Sequence, residues 1–205
     1  KATITNMGAE LGATSSLFPY DHRMGTYLIA TGREGLATIA NKNIHLLQAD
    51  EEVQSHPEDY FDRIIEIDLS ALEPQVVGPH TPDRARPVAA LAAEIEANGY
   101  TDSISDALIG SCTNSSYEDM HRAADIAEQA RKHGIRTNVP LLITPGSEQI
   151  RSTIERDGQI KTLTDIGATV LANACGPCIG QWKRHNVPEN IPNTIVSSFN
   201  RNFPR

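Results

Sequence analysis

From residue 106 onward, short apolar runs alternate with longer stretches in which apolar residues recur three or four apart. The first run is Ala107-Leu108-Ile109-Gly110, followed by the polar turn Ser111-Cys112-Thr113-Asn114-Ser115-Ser116, rich in helix N-cap residues. Met120, Ala123, Ala124, Ala127 and Ala130 then share one helical face, which predicts a helix over residues 117–133 with Gly134 as its stop. Val139-Pro140-Leu141-Leu142-Ile143 predicts a second strand. Ser147 caps a helix that runs to residue 156 and stops near Gly158. Thr169-Val170-Leu171-Ala172 and Thr194-Ile195-Val196-Ser197-Ser198 predict the third and fourth strands.

Strands alternating with helices of this length predict an α/β fold with a mostly parallel sheet, because parallel neighbours need crossover helices. Ligands of such sheets gather at the carboxyl ends of the strands. Cys112, the Cys175 and Cys178 pair, and Asn200-Arg201 each follow a predicted strand, so the unusual chemistry falls on one sheet edge.

The N-terminal part reads differently. A helix is predicted over residues 22–31, stopped by Gly32, and a strand over residues 64–69, where Ile64-Ile65-Glu66-Ile67-Asp68-Leu69 alternates. Prolines 74, 79 and 82 with Gly78 mark a linker. The expected organisation is residues 1–74 as the C-terminal part of a preceding α/β domain, 75–86 as linker, and 87–205 as a second α/β domain. No internal repeat is visible.

Composition narrows the classes. The 205 residues are 39% hydrophobic, enough to bury a core. Lys and Arg total 18 against 26 Asp and Glu, a net charge of −8 spread along the chain, which argues against nucleic acid or an acidic membrane surface as partner. No apolar run reaches the 18 or more residues of a membrane helix. The opening Lys1-Ala2-Thr3-Ile4-Thr5 has no signal-peptide pattern, and both ends read as cut within a longer protein. Three cysteines are too few and odd in number for a disulfide-stapled secreted fold, so a reducing compartment is expected.

The stretch Ala174-Cys175-Gly176-Pro177-Cys178 allows several chemistries. A redox pair opens a helix near the start of its fold and needs no third thiol. Structural zinc wants four ligands; His185 completes the set only at a poor spacing. Burial as small hydrophobes suits Cys112 better than two cysteines among Gly and Pro. An iron–sulfur cluster with three protein thiolates is the remaining reading. It has a chemical purpose, because a cubane cluster normally takes four cysteines, and with three one iron stays open as a Lewis acid for hydration and dehydration.

Gly110-Ser111-Cys112-Thr113-Asn114-Ser115-Ser116-Tyr117-Glu118-Asp119 and Ala174-Cys175-Gly176-Pro177-Cys178-Ile179-Gly180-Gln181-Trp182 resemble the two cluster-binding motifs of the aconitase family. Asn6-Met7-Gly8-Ala9-Glu10-Leu11-Gly12-Ala13-Thr14 and Ser198-Phe199-Asn200-Arg201-Asn202-Phe203 are similar to two further signatures of that family. The match runs in order over essentially the whole chain and leans to the mitochondrial-type branch.

The resemblance implies an aconitate hydratase that interconverts citrate and isocitrate through cis-aconitate. Cys112, Cys175 and Cys178 would hold a 4Fe-4S cluster with one open iron. Glu10 matches the active-site glutamate beside the substrate hydroxyl. Asn6 and Asn200 match asparagines of the cluster environment, and Arg201 matches a substrate-binding arginine able to grip a carboxylate in two places. Arg205 falls one position short of a second substrate arginine and inherits no role. The resemblance further implies that the serine base, the other arginines and the aspartate–histidine residues lie outside these 205 residues, and that partners are the small tricarboxylates and the enzyme's remaining domains. It implies a monomer at full length, in the mitochondrial matrix, or in the cytoplasm of a bacterium. The rival readings are a homoaconitase or related hydro-lyase, and a non-catalytic metal-sensing or interaction domain.

Read without the family, Glu10 and Arg201 are ordinary surface charges. His22, His45, His56, His80, His121, His133 and His185 show no mutual metal spacing. Pro145-Gly146-Ser147 reads as a strand-to-helix turn more readily than as an anion site.

Overall fold

In the computed structural model the chain divides into two compact units, Thr3–Leu72 and Glu73–Arg205. The structure describes residues 1–182, 188 and 190–199, apart from the side chains of Ala9 and Glu10. Among the described residues no helix is long and apolar enough to cross a membrane.

The first unit is built from α1 (Ala2–Glu10), α2 (His22–Ala30), α3 (Glu34–Lys42) and α4 (Glu51–Ser55), with 3-10 turns at Ile44–Leu46 and Pro57–Asp59. Helix α2 starts where expected because Asp21, in extended backbone, accepts the Met24 N–H at 2.9 Å. It stops because Gly32 takes a positive φ of 74°. Tyr20 is buried and donates its hydroxyl to Asn41 Oδ1 on α3 at 2.9 Å. Gly25 gives that ring room, since a Cβ there would lie 2.7 Å from the Tyr20 hydroxyl.

Residues 64–69 correct the reading of the sequence. They form no strand, and Ile64, Ile65, Ile67 and Leu69 are all exposed. Alternation supplies two faces but not a ladder, and the elements of this unit are helical among the described residues, so there is no neighbouring strand to pair with.

The second unit opens on a hairpin. The expected linker, residues 75–86, coincides with β1 (Gln75–Val77), its turn and most of β2 (Ala85–Pro87), an antiparallel pair with Gln75 opposite Pro87. The turn between them contains a cis Gly78-Pro79 bond. Arg86 is buried and holds the hairpin together by donating to the carbonyl oxygens of Gly78 and Arg84. Its Nε also lies 2.8 Å from Glu94 Oε2 on α5 (Leu91–Asn98), close enough for an ion pair though not aligned as a hydrogen bond.

The remainder is the predicted α/β sheet. Strands β3 (Ile104–Ile109), β4 (Leu141–Ile143), β5 (Ala168–Val170) and β6 (Thr194–Ser197) are all parallel, in the order β5-β4-β3-β6. Helix α6 (Tyr117–Lys132) connects β3 to β4, and α7 (Glu148–Arg156) and α8 (Gln159–Asp165) connect β4 to β5. Gly158 does stop α7, but with φ at 86° it turns the chain straight into α8, which the sequence pattern did not predict.

The core lies between these helices and β4 and β5. Met120, Ala124 and Ala127 from α6 meet Ile143, Ile154, Leu163 and Ala168. Met120, Ile143 and Ile154 are fully buried, each worth about 1.5–3 kcal/mol in apolar surface withdrawn from water. This packing fixes the strand ends. The chain steps outward from β3 to β4 to β5 and then returns to place β6 on the other side of β3. The reversal of strand order therefore falls between β3 and β6, where sheets of this kind form a crevice beyond their carboxyl ends.

Candidate metal centre

The loops after β3, β4 and β5 leave the carboxyl edge of the sheet, and hydrogen bonds tie them to one another. After β3, Gly110 approaches β4 so closely that a Cβ would lie 2.8 Å from Thr144 Cβ and 3.0 Å from the Thr144 carbonyl oxygen. Ser111 follows with φ at 78°, a left-handed conformation that non-glycine residues rarely adopt and that clusters at functional sites. Its hydroxyl accepts the N–H groups of Thr113 and Asn114, both at 3.3 Å, and its carbonyl accepts the hydroxyl of buried Ser115. Ser116 then caps α6 in a reciprocal box with Asp119. Cys112 sits in this tight turn, exposed, with its sulfur 3.7 Å from Thr113 Oγ1.

The loop after β4 packs on the first. Gly146 N–H donates to the Ser115 carbonyl at 3.2 Å, and Ser147 caps α7 by accepting the Ile150 N–H at 3.1 Å. The Pro145-Gly146-Ser147 stretch is thus a capped strand-to-helix turn. After β5, Ile179 N–H donates to the Cys175 carbonyl at 3.0 Å and Gln181 N–H to the Gly176 carbonyl at 2.7 Å, so Cys175 and Cys178 stand on one compact turn. Asn173, just before it, donates Nδ2 to Glu148 Oε2 at 2.6 Å.

The loops after β3, β4 and β5 enclose a small cavity of about 50 Å³, lined by residues that include Ser111, Cys112, Thr144, Asn173 and Cys175. Two of its lining residues carry buried polar atoms, Thr144 Oγ1 and Asn173 Oδ1, that have no hydrogen-bond partner among the described residues. Native structures leave few such atoms, each expensive unless a ligand, ion or water meets it. A larger, open concavity of about 480 Å³ lies along the end of α5 around Ile95 and Tyr100.

The three thiols form no disulfide; Cys112 and Cys175 are exposed and Cys178 is half-buried. Burial pushes the Cys178 thiol up, and charge on Cys112 and then Cys175 pushes it further the same way. Thiols close enough to oppose one another's ionisation favour a bound cation, which takes the place of the protons. Among the described residues no three His, Cys, Asp or Glu side chains gather tightly enough for a single metal ion. One tetrahedral ion, with bonds of about 2.3 Å, would draw its sulfurs to about 3.8 Å apart. A cluster that gives each thiolate its own iron calls for a wider spacing. Three thiols, with unpartnered polar atoms on two residues of the cavity that Cys112 and Cys175 line, are a donor set such a cluster uses.

The predicted site residues divide accordingly. Cys112 and Cys175 line one cavity beyond the strand ends, and Cys178 stands on the same turn as Cys175. Asn6 lies on α1 in the first unit, as does Glu10, whose side chain lies outside the described residues. Asn200, Arg201, Arg205 and His185 also lie outside the described residues. Thr144 and Asn173 were not singled out from the sequence. Their signal, burial without a partner, exists only once the strands are paired.

Fold and site together define an α/β domain that presents three thiols along the carboxyl edge of a parallel sheet. The model of the aconitase family (aconitate hydratase) matches residues 1–205, and the chain belongs to that family. It is 55% identical over 201 residues to the mitochondrial aconitate hydratase of Gracilaria gracilis, 54% over 202 residues to that of Emericella nidulans, and 52% over 203 residues to that of Saccharomyces cerevisiae. Each match covers 98% of this chain and 25% of the relative, so the chain spans about a quarter of the length of these curated relatives.

Proposed function

We propose that this chain is the cluster-bearing part of a mitochondrial aconitate hydratase that interconverts citrate and isocitrate through cis-aconitate. The observation that carries the reading is that Cys112 and Cys175 line one cavity with Thr144 and Asn173, whose buried polar atoms have no partner among the described residues, while Cys178 stands on the same turn as Cys175. The names of the relatives give the reaction class and the compartment.

Cys112, Cys175 and Cys178 would hold a 4Fe-4S cluster, one thiolate on each of three irons. When bound, such a cluster offers an open iron that polarises a substrate hydroxyl and carboxylate as a Lewis acid. The rest falls to side chains. Glu10 accepts or returns a proton at the substrate hydroxyl. Arg201 binds a substrate carboxylate with its planar guanidinium. Asn6 and Asn200 donate hydrogen bonds to cluster sulfur and hold the site in register. These four roles rest on the family motifs in which the residues stand. The cavity is small and two thiols are exposed, so this chain forms the floor of the site; residues elsewhere in the full-length enzyme, a monomer in this reading, complete it.

The test is anaerobic reconstitution of the full-length enzyme with iron and sulfide, followed by iron counting and spin resonance with and without citrate. Wild type is expected to take up about four irons per chain. A Cys178→Ser variant should lose most of them, and citrate should perturb the wild-type spectrum. Iron uptake that is unchanged in the variant, or a spectrum indifferent to citrate, overturns the reading.

A further inference from the structure

We propose that the Thr144 hydroxyl is the buried hydrogen-bond donor of the cluster pocket, directed to cluster sulfur, and that Thr144 is a positioning residue for the cluster. This rests on the three cysteines holding a cluster, as argued above. Thr144 is 2% exposed and follows Ile143, which is fully buried in the core. Its backbone N–H is already satisfied, donating to the Ile109 carbonyl at 2.8 Å. Its Oγ1 is shielded from solvent and meets no partner among the described residues, although it belongs to a residue lining the same cavity as Cys112 and Cys175.

A valine would fill that place with the same shape and no unpaired hydroxyl. A buried hydroxyl kept in such a position needs an acceptor beyond the described residues, and sulfide or thiolate sulfur at the cavity is one. The other orphaned atom has the wrong polarity. Asn173 donates Nδ2 to Glu148, which identifies the buried atom as Oδ1, an acceptor with no proton to offer to sulfur. Of these two lining residues, Thr144 is then the one with a proton to donate. Hydrogen bonds to cluster sulfur stabilise the more negative, reduced state and orient the ligands, so their loss lowers both potential and iron retention.

The experiment compares wild type, Thr144→Val and Thr144→Ser in the full-length enzyme, reconstituted anaerobically. Midpoint potential, the spin-resonance signal of the reduced cluster and iron retention against a chelator are read alongside melting of the iron-free protein. Thr144→Val is expected to shift the potential to a more negative value, alter the signal and weaken iron retention by about tenfold. Thr144→Ser should stay near wild type. The iron-free Val variant should melt no lower than wild type, since it loses an unpaired buried hydroxyl. A Val variant that loads iron like wild type with unchanged potential and signal overturns the proposal while leaving the cluster reading intact, as would be expected if a water meets the hydroxyl. So does a Ser variant that moves as far as Val, because shape would then be responsible. A wild-type enzyme that builds no cluster overturns both.

Discussion

Gly110 and Ser198 stand 88 residues apart and are joined at the carboxyl edge of the sheet. The Gly110 N–H donates to Ser198 Oγ at 2.9 Å, and the Ser198 hydroxyl lies 3.3 Å from the Gly110 carbonyl. Ser198 N–H also donates to the Leu108 carbonyl at 3.0 Å, and Asn114 donates its amide to the Ser198 carbonyl. One serine thus ties the end of β6 to the start of the loop that carries Cys112. It does so beside the reversal of strand order, where the positions of loop residues matter most.

Removing that hydroxyl isolates its contribution. Ser198→Ala is expected to destabilise the chain by about 1 kcal/mol, the usual net value of a hydrogen bond of this kind. Urea denaturation of the purified chain measures it. Alkylation of Cys112 should also quicken as its loop loosens. Unchanged stability and unchanged alkylation would show that the two strand ends hold without the serine.

Gly110→Ala tests the close approach on the other side of the same residue. The added Cβ would lie 2.8 Å from Thr144 Cβ and 3.0 Å from its carbonyl oxygen, and neither neighbour is the end of a flexible side chain. Overpacking of this kind costs about 1–3 kcal/mol and would push the loops after β3 and β4 apart. The expected outcome is a lower urea midpoint together with weaker iron uptake. Gly134→Ala is a useful contrast: open space surrounds that position, so its penalty comes from the positive φ of 71° alone and iron uptake should hold.

Asp157 gives a pH-dependent link between α6 and α7. The Arg156 guanidinium, first, and the Tyr117 hydroxyl at 2.9 Å hold its carboxyl below the usual carboxylate range. A carboxyl with a depressed folded pKa stabilises the fold above its unfolded value near 4. That contribution is lost as pH falls through the lower folded value. Asp157→Asn should therefore lose less stability than wild type when urea midpoints are followed from neutral pH into the acid range. Parallel curves for the two proteins would refute the link.

Much of the second unit was legible because local and long-range signals agree there. Ser116 and Ser147 are caps in sequence and in structure, Gly134 and Gly158 fall at helix ends, and the alanine stripe of α6 is its core face. Elsewhere pairing decides the outcome. Residues 64–69 have the alternation of a strand and no strand beside them, whereas the proline-marked residues 75–86 gain pairing because Arg86 binds across the turn. Helix α1 carries two threonines, an isoleucine and a glycine within Ala2–Glu10, a poor local signal. At the site, cysteine spacing pointed to the donors, but Thr144 and Asn173 could not be found without knowing which polar atoms the strands bury.

The pairing of β3 on both sides also has a temporal meaning. During synthesis from the N-terminus, β4 can join β3 soon after it emerges, but the bond from Gly110 to Ser198 waits for 88 more residues. At ribosomal speeds of 5–20 residues per second, that leaves roughly 4–18 s in which the Cys112 turn is held from one side only. Cys175 and Cys178 emerge within the same interval. Through that window all three thiols have been made while β6 has yet to close the sheet beside β3.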